Sequence, residues 1–401
     1  MSHAPAWPRL TLASGPVDVS IDTLRGMQRQ SLYHYDPLFI EIFADTNALL
    51  ASAFRTSYDT VIMQAEAVLG LEAAAASLIA PGDKVLNLVS GVFGKGFEDW
   101  IRAYGGEVVE LAVPYNEAID PDDVRRVLQV QPDIKYLSVV HSETPSGTVN
   151  PVREIGAIAH EFGVLTIVDT VSGWLSEDFS PESWGMDVVV AGPQKCLGST
   201  AGLSLMAVSP AAWEAMERRE HPLRGTFLSL LDWKATWIEQ RRFPYTPSVY
   251  EIYALEAALR QVADEGVARV VARHQATAHA TRAAVKALRL GLWAASEAIA
   301  SPCCTAVAVP DGVADADLRE IMRSRYGVMI SGGFGSLSGK LFRLGHMGPS
   351  AHPTAAMAQI GVLERALLDL GHPIQPGAGV GAMIEAFAGW NDATGTFPAK
   401  S

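Results

Sequence analysis

Two residues in this chain have the type and setting for chemistry on a small molecule. Lys195 stands in Gly192-Pro193-Gln194-Lys195-Cys196-Leu197-Gly198, just after a Val-Val-Val-Ala run. A lysine held at a buried strand end among small residues loses part of its affinity for protons and becomes an amine able to form an imine. Asp169 follows Leu165-Thr166-Ile167-Val168. A carboxylate leaving an apolar strand needs a partner. A protonated pyridine nitrogen is one, and the pairing strengthens such a ring as an electron sink. Each residue also has an ordinary reading, Lys195 as a solvated cation and Asp169 as a loop cap. The spacing between them fits two neighbouring strand ends joined by one short crossover.

The elements that must position them are legible around them. Leu69–Ile79 and Phe97–Tyr104 carry helical patterns, and Asp120-Pro121 opens a third helix with a cap and a first-turn proline. Strand patterns fall at Lys84–Val89, Glu107–Val113, Lys135–Val140, Leu165–Val168, Asp187–Val190 and Leu203–Val208, with a tight SGVFGKG turn after the first. A helix ending at Gly163 lies between the third and fourth of these strands. Short buried strands alternating with helices predict an α/β fold with a mostly parallel, seven-stranded sheet covered on both faces. Ligands in such sheets bind at the carboxyl ends of strands, where Ser90–Phe93, His141–Gly147, Asp169–Ser172 and Gly192–Gly198 lie. From Ser248 to Leu288 the signal is nearly continuous helix, and about 290–390 reads as a smaller α/β unit. The expected domains are 18–265, and 266–401 with an N-terminal arm of 1–17.

Composition narrows the function. The chain has 401 residues, 49% of them hydrophobic and 19% charged, so a sizeable core is expected and disorder is not. A formal net charge of −13 argues against a nucleic-acid surface. Three cysteines without a CxxC pair, and scattered histidines, predict neither a disulfide framework nor a metal site. The N-terminus lacks a signal-peptide pattern, and no stretch reaches about 20 uninterrupted apolar residues. A cytoplasmic protein without membrane or nucleic-acid partners is the expectation. SGGFGSLSGK departs from a nucleotide-binding loop, since Phe334 and Leu341 stand where that motif needs Gly and a hydroxyl residue.

SGPV (14–17), the VLGLEAA helix, SGVFG, ETPSG, IVDTVS, GPQKCLG, YTPSVYEIYAL (245–255) and FRLGHMGP (342–349) occur together in this order. That succession resembles the class V aminotransferases, in particular the alanine–glyoxylate and serine–glyoxylate group, over nearly the whole chain. The resemblance implies a fold-type-I, vitamin-B6-dependent enzyme. Lys195 then matches the Schiff-base lysine, Asp169 the partner of the pyridinium nitrogen, and Phe93 the aromatic residue that stacks on the ring. Thr144 or Ser146 matches the partner of the ring hydroxyl. Arg343 matches the arginine that holds the substrate carboxylate, for which a planar fork suits better than an ammonium. Tyr35 belongs with the substrate-binding set. Fold-type-I sites draw residues from two subunits, so a homodimer or homotetramer is expected, with Thr246-Pro247 as the shared contribution.

The departures from the family pattern point to the substrate. Phosphate-using relatives open the Leu69 helix with glycines and hydroxyl residues that cradle the cofactor phosphate. Here the segment is Gln64-Ala65-Glu66-Ala67-Val68. Glu66 stands where a phosphate dianion would sit, and two like charges in a poorly solvated cup repel. By itself Glu66 is equally a first-turn helix carboxylate. Relatives also use a Tyr three residues before Thr-Pro, reaching from the neighbouring subunit, and Phe243 stands there instead. Both losses favour a ring with a neutral hydroxymethyl group, bound as a substrate. The stretches VLGLEAAAASL, VPYNEAIDP, TPSGT and WAASEAIASP resemble most the branch that passes an amino group from unphosphorylated pyridoxamine to pyruvate, a reaction of vitamin B6 degradation. Phe93 stands where that branch has Tyr, and Phe334 where it has a second carboxylate-binding Arg. The alternatives left open are a pyridoxal-phosphate (PLP) enzyme acting on alanine or serine with glyoxylate, a lyase of the same fold, and a B6 carrier.

Overall fold

The computed structural model describes residues 7–388 and Trp390. Its main elements, in chain order, begin with α1 Pro37–Phe54, β1 Asp59–Gln64, α2 Ala67–Leu78, β2 Lys84–Val89, α3 Val92–Ala103 and β3 Glu107–Ala112. Next come α4 Pro121–Val130, β4 Ile134–Val140, α5 Val152–Glu161, β5 Leu165–Asp169, β6 Val188–Ala191 and β7 Leu203–Val208. The second half holds α6 Val249–Glu265, α7 Val267–Ala287, β8 Cys304–Ala308, β9 Ser331–Gly332, β10 Leu341–Gly345 and α8 Pro353–Asp369.

The seven strands of the large sheet run in the order β1-β7-β6-β5-β4-β2-β3. β7 is antiparallel to both of its neighbours, and the other pairings are parallel. Six carboxyl ends therefore open on the same edge. The middle of the sheet is a buried, mostly apolar layer, since β6 (Val-Val-Val-Ala) and β7 (Leu-Ser-Leu-Met-Ala-Val) are buried at every position, while the edge strand β3 is not. Such runs have no face to give to water and call for helices on both sides. A second, three-stranded antiparallel sheet has the order β8-β10-β9.

Among the described residues two large apolar cores follow, with a small third cluster of Ala306, Leu337 and Leu341. The larger gathers the seven-stranded sheet with Phe39, Phe43, Trp233 and Trp237. The smaller gathers Val307, Phe342 and Leu344 with Leu12, Ile360 and Leu363. Val270 belongs to the first core and Ala280, Ala284 and Val285 to the second. The change of core thus falls inside α7, beyond the 265/266 boundary expected from sequence. Residues 1–6 of the expected arm and 391–401 of the expected second domain lie outside the described residues.

Two local outcomes differ from expectation. The Ser248–Leu288 helix is two helices, broken at Gly266, whose φ of +87° ends α6 at low steric cost. SGVFGKG is not a turn: α3 starts at Val92, five residues before the expected Phe97, because a buried carboxylate described below caps it. α1 is long and apolar enough to cross a membrane by length and composition, although Glu41 and Asp45 interrupt its apolar run. Its Phe39, Phe43, Leu50 and Phe54 are wholly buried in the larger core.

Candidate active site

A cavity of about 350 Å³ opens where the carboxyl ends of β4, β5 and β6 meet the first turns of α2 and α3. Lys195, Asp169, Glu66, Ala67, Val68, Phe93 and Phe334 all line it. Residues up to 268 positions apart in the chain therefore share one wall system, which is the arrangement open α/β sheets use for ligands.

Lys195 leaves the loop after β6, and its Nζ donates to the Ser14 carbonyl at 3.0 Å. Gly15 (φ +95°) makes that approach possible, since a Cβ there would lie 2.4 Å from Lys195 Nζ. Burial pulls the Lys195 pKa below the usual lysine range, the charges of Cys303 and Arg343 acting in opposite directions on it. A neutral amine is thereby more accessible than on a surface lysine.

Asp169 ends β5. Its Oδ1 accepts the Val171 N–H at 2.9 Å, which fixes the carboxylate at the strand mouth. Burial raises its pKa to about 6, against the lowering effects of that hydrogen bond and of the Lys195 charge. Beside it His141 is clamped from both nitrogens, Nδ1 against Thr170 Oγ1 at 3.0 Å and Nε2 against Glu177 Oε2 at 2.6 Å.

Two carboxylates occupy the two helix starts. Glu66 is the N-cap of α2: one oxygen accepts the Val68 N–H (2.9 Å) and the other accepts Gln194 Nε2 (2.6 Å). Ser204 of β7 pins the same turn by donating to the carbonyls of Ala65 (3.0 Å) and Glu66 (2.9 Å). Glu143, wholly buried, accepts the N–H groups of Phe93 (3.2 Å) and Gly94 (2.7 Å) at the start of α3. Burial lifts its pKa to about 7, opposed by those two hydrogen bonds. Gly91 leaves room for it, since a Cβ there would lie 2.3 Å from Glu143 Cδ. Phe93 is consequently held with 41% of its surface open to the cavity. The positive ends of both helices are thus answered from within the chain.

Other expected site residues do not line the cavity. Ser146 is wholly buried, its hydroxyl spent on the Glu143 carbonyl (3.2 Å) and on Thr148 Oγ1 (2.8 Å). Thr144 is buried too, and its carbonyl accepts Arg343 Nη1 at 3.1 Å. From this run it is Ser142 that lines the cavity, its hydroxyl paired with Ser301 Oγ at 2.9 Å. Arg343 sits on β10 outside the lining, with Nε bound to the Gly332 carbonyl at 2.8 Å. Phe243 is 5% exposed, stacked on Trp237 at 5.1 Å and packed against Phe43 at 4.9 Å. A ring sunk in its own core has almost no surface to offer a ligand. Tyr35 belongs to the rim of that aromatic group, 6.5 Å from Phe243. Thr246 is exposed away from the cavity.

Glu143, Ser142 and Ser14 are the cavity's unforeseen contributors. The first two sit in a run already marked as a strand end, but only the folded turn shows which side chain faces where. Ser14 acts through its carbonyl, for which no side-chain signal exists.

An imine-competent lysine and a buried carboxylate at adjoining strand ends, beside an open aromatic ring, define an aminotransferase-type site. The chain belongs to the class-V aminotransferase family, whose profile matches residues 22–347. Among its relatives, pyridoxamine–pyruvate transaminase of Mesorhizobium japonicum is 46% identical over 377 residues, 94% of this chain and 96% of that one. The crystal structure of pyridoxamine–pyruvate aminotransferase from Mesorhizobium loti superposes with a TM-score of 0.93, covering 95% of this chain and 97% of that one at 46% identity. Ureidoglycine–glyoxylate aminotransferase from Bacillus subtilis follows the same fold, with a TM-score of 0.91 at 27% identity over 96% of this chain and all of that one.

Proposed function

We propose that this chain moves an amino group between unphosphorylated pyridoxamine and pyruvate, giving pyridoxal and L-alanine, with the vitamin as substrate rather than resident cofactor. One observation carries the reading. The α2 start, where a phosphate would be cradled, is capped by the Glu66 carboxylate, so a dianion there meets a like charge instead of free N–H groups. A neutral hydroxymethyl group meets an acceptor. The 46% identical Mesorhizobium relative supports the same choice of substrate.

The residues present fit the unphosphorylated ring. When bound, the vitamin supplies a reactive carbon at its 4′ position and a ring that accepts electrons. Phe93 covers one face of the ring, and Asp169 holds the proton on the ring nitrogen. In the direction that gives L-alanine, the Lys195 amine takes a proton from the vitamin's 4′ carbon and delivers it at the acid's Cα, general base and general acid in turn, and the reverse direction retraces the same path. Arg343, set behind the lining, is the guanidinium that the family resemblance offers for the substrate carboxylate. Gly15 keeps Lys195 Nζ against Ser14 and out of the bulk. The same reading takes the protein as a cytoplasmic homo-oligomer serving vitamin B6 degradation, with exposed Thr246 offered to a second copy.

The test offers the purified protein pyruvate with either pyridoxamine or pyridoxamine phosphate, and measures L-alanine formed. Alanine from the unphosphorylated amine is expected. Alanine chiefly from the phosphate ester, or a yellow protein purified with stoichiometric PLP, would return the chain to the ordinary PLP enzymes.

A further inference from the structure

Phe334 is 54% exposed, yet nothing about its backbone is loose. Gly333 N–H donates to the Leu341 carbonyl at 2.9 Å, and Leu337 N–H to the Phe334 carbonyl at 3.1 Å. Arg343 Nε ties down Gly332 at 2.8 Å, and Leu337 is buried as the anchor of the turn. The chain thus holds an aromatic ring out over the cavity. Opposite stands Phe93, centroid to centroid 6.2 Å at 36°, with Val92 on the same wall. Val68, 51% exposed, adds a third open apolar surface to the same cavity. Exposed apolar surface that converges on a cavity marks a ligand groove.

The charges point the same way. Among the described residues that line the cavity, Lys195 is the only Lys or Arg. Arg343 stands behind the lining with two of its donors spent on the Gly332 and Thr144 carbonyls. A small oxo acid finds little here beyond a hold on its carboxylate. A larger apolar side chain finds the faces of Phe334 and Val92.

We infer that Phe334, with Val92 and the edge of Phe93, forms an apolar clamp that ranks 2-oxo acids with branched or aromatic side chains, and their amino acids, above pyruvate and alanine. The inference rests on the proposed transfer from unphosphorylated pyridoxamine and sets its second substrate class.

The experiment follows pyridoxal release from pyridoxamine with pyruvate, 2-oxobutanoate, 4-methyl-2-oxopentanoate and phenylpyruvate. It uses the wild-type chain, Phe334→Ala and Phe334→Arg. In the wild type kcat/KM should rise roughly fourfold for each methylene buried, mostly through KM. Phe334→Ala should flatten the series and Phe334→Arg should invert it in favour of pyruvate, the change being read chiefly in KM. Calorimetric titration of the vitamin-free protein should give the same order of Kd. Because the residue is half exposed, both variants should fold, which thermal melting and sedimentation check. Pyruvate ranking first in the wild type, or a series unchanged in Phe334→Ala, would overturn the clamp while leaving the transfer reaction intact. A Phe334→Ala chain that changes only its oligomeric state would overturn it as well, making the ring an interface residue. No pyridoxal with any acid would instead remove the transfer reaction itself, and the clamp with it.

Discussion

The floor of the cavity and its mouth are held by different means. The floor belongs to the large sheet: Asp169 and Lys195 leave neighbouring parallel strands, and Glu66 and Glu143 cap the two helices beside them. Each of these groups is set by a strand end or a helix first turn, so its position follows from the packing of the whole domain. The mouth belongs to the small sheet: Phe334 and Arg343 sit on a short segment and an antiparallel strand tied together by a few hydrogen bonds. The floor carries charge and the mouth apolar surface, so in the proposed reaction the floor would meet the reacting groups and the mouth the part of the acceptor that varies. Chemistry and selectivity are therefore separable here, and variants of the two regions should fail in different ways.

The largest separation comes from Lys195→Ala. Loss of the proton-transferring amine should lower kcat by about 10⁴-fold with every acceptor alike, measured in single turnovers with pyridoxamine. A loss confined to one acceptor would erase the distinction between floor and mouth.

Asp169→Asn should cost about 10²- to 10³-fold, again without regard to acceptor. Its wild-type pH profile sharpens the point. Asp169, raised to about 6 by burial, is charged above that pH and neutral below it. Activity of the free enzyme should therefore fall as pH drops through about 6, and the limb should vanish in Asp169→Asn. A profile flat from pH 5 to 8 in the wild type would contradict this assignment.

Glu66→Gln keeps an oxygen to cap α2 but removes the charge. Discrimination against pyridoxamine phosphate should shrink about tenfold, as expected for removing roughly 1.4 kcal/mol of like-charge repulsion. The ranking of oxo acids should stay as it was. A shift in that ranking would show that the two regions are coupled.

The last effect concerns Glu143, and it is read in stability rather than in turnover. Its folded-state pKa, about 7, lies above the ordinary carboxylate value, so the folded chain binds this proton more tightly than the unfolded one. Its contribution to stability therefore falls as pH rises from about 4.5 to about 7 and levels off above. Glu143→Gln should remove that slope from the melting temperature, while the capped start of α3 keeps Phe93 in place.

Lys195, Asp169 and Glu66 were legible in the sequence because each stands at a boundary that composition marks. An apolar run stops, or a helix begins, and a polar residue there has few places to point. The same logic marked the strands, whose buried runs leave little choice but a parallel sheet. Ser146 was placed in the site by its motif and does not line the cavity, while Phe243 was assigned to a neighbouring copy's site and packs within its own core. One hydroxyl is spent inside its own turn, and the ring is taken up by Trp237 and Phe43. Whether a side chain faces a cavity or a neighbour depends on what else packs against it, and those neighbours lie far off in the chain.

The sequence by itself determined the α/β layering, the strand ends that line the cavity, and the carboxylate at the α2 cap, because periodicity, polarity and capping act over a few residues. Only the tertiary structure decided that Glu143 caps α3 from 49 residues away, that the Ser14 carbonyl holds Lys195 from 181 away, and that Phe334 meets Phe93 over one cavity. Those contacts join the two sheets and the N-terminal segment, and they exist only once the two cores have packed.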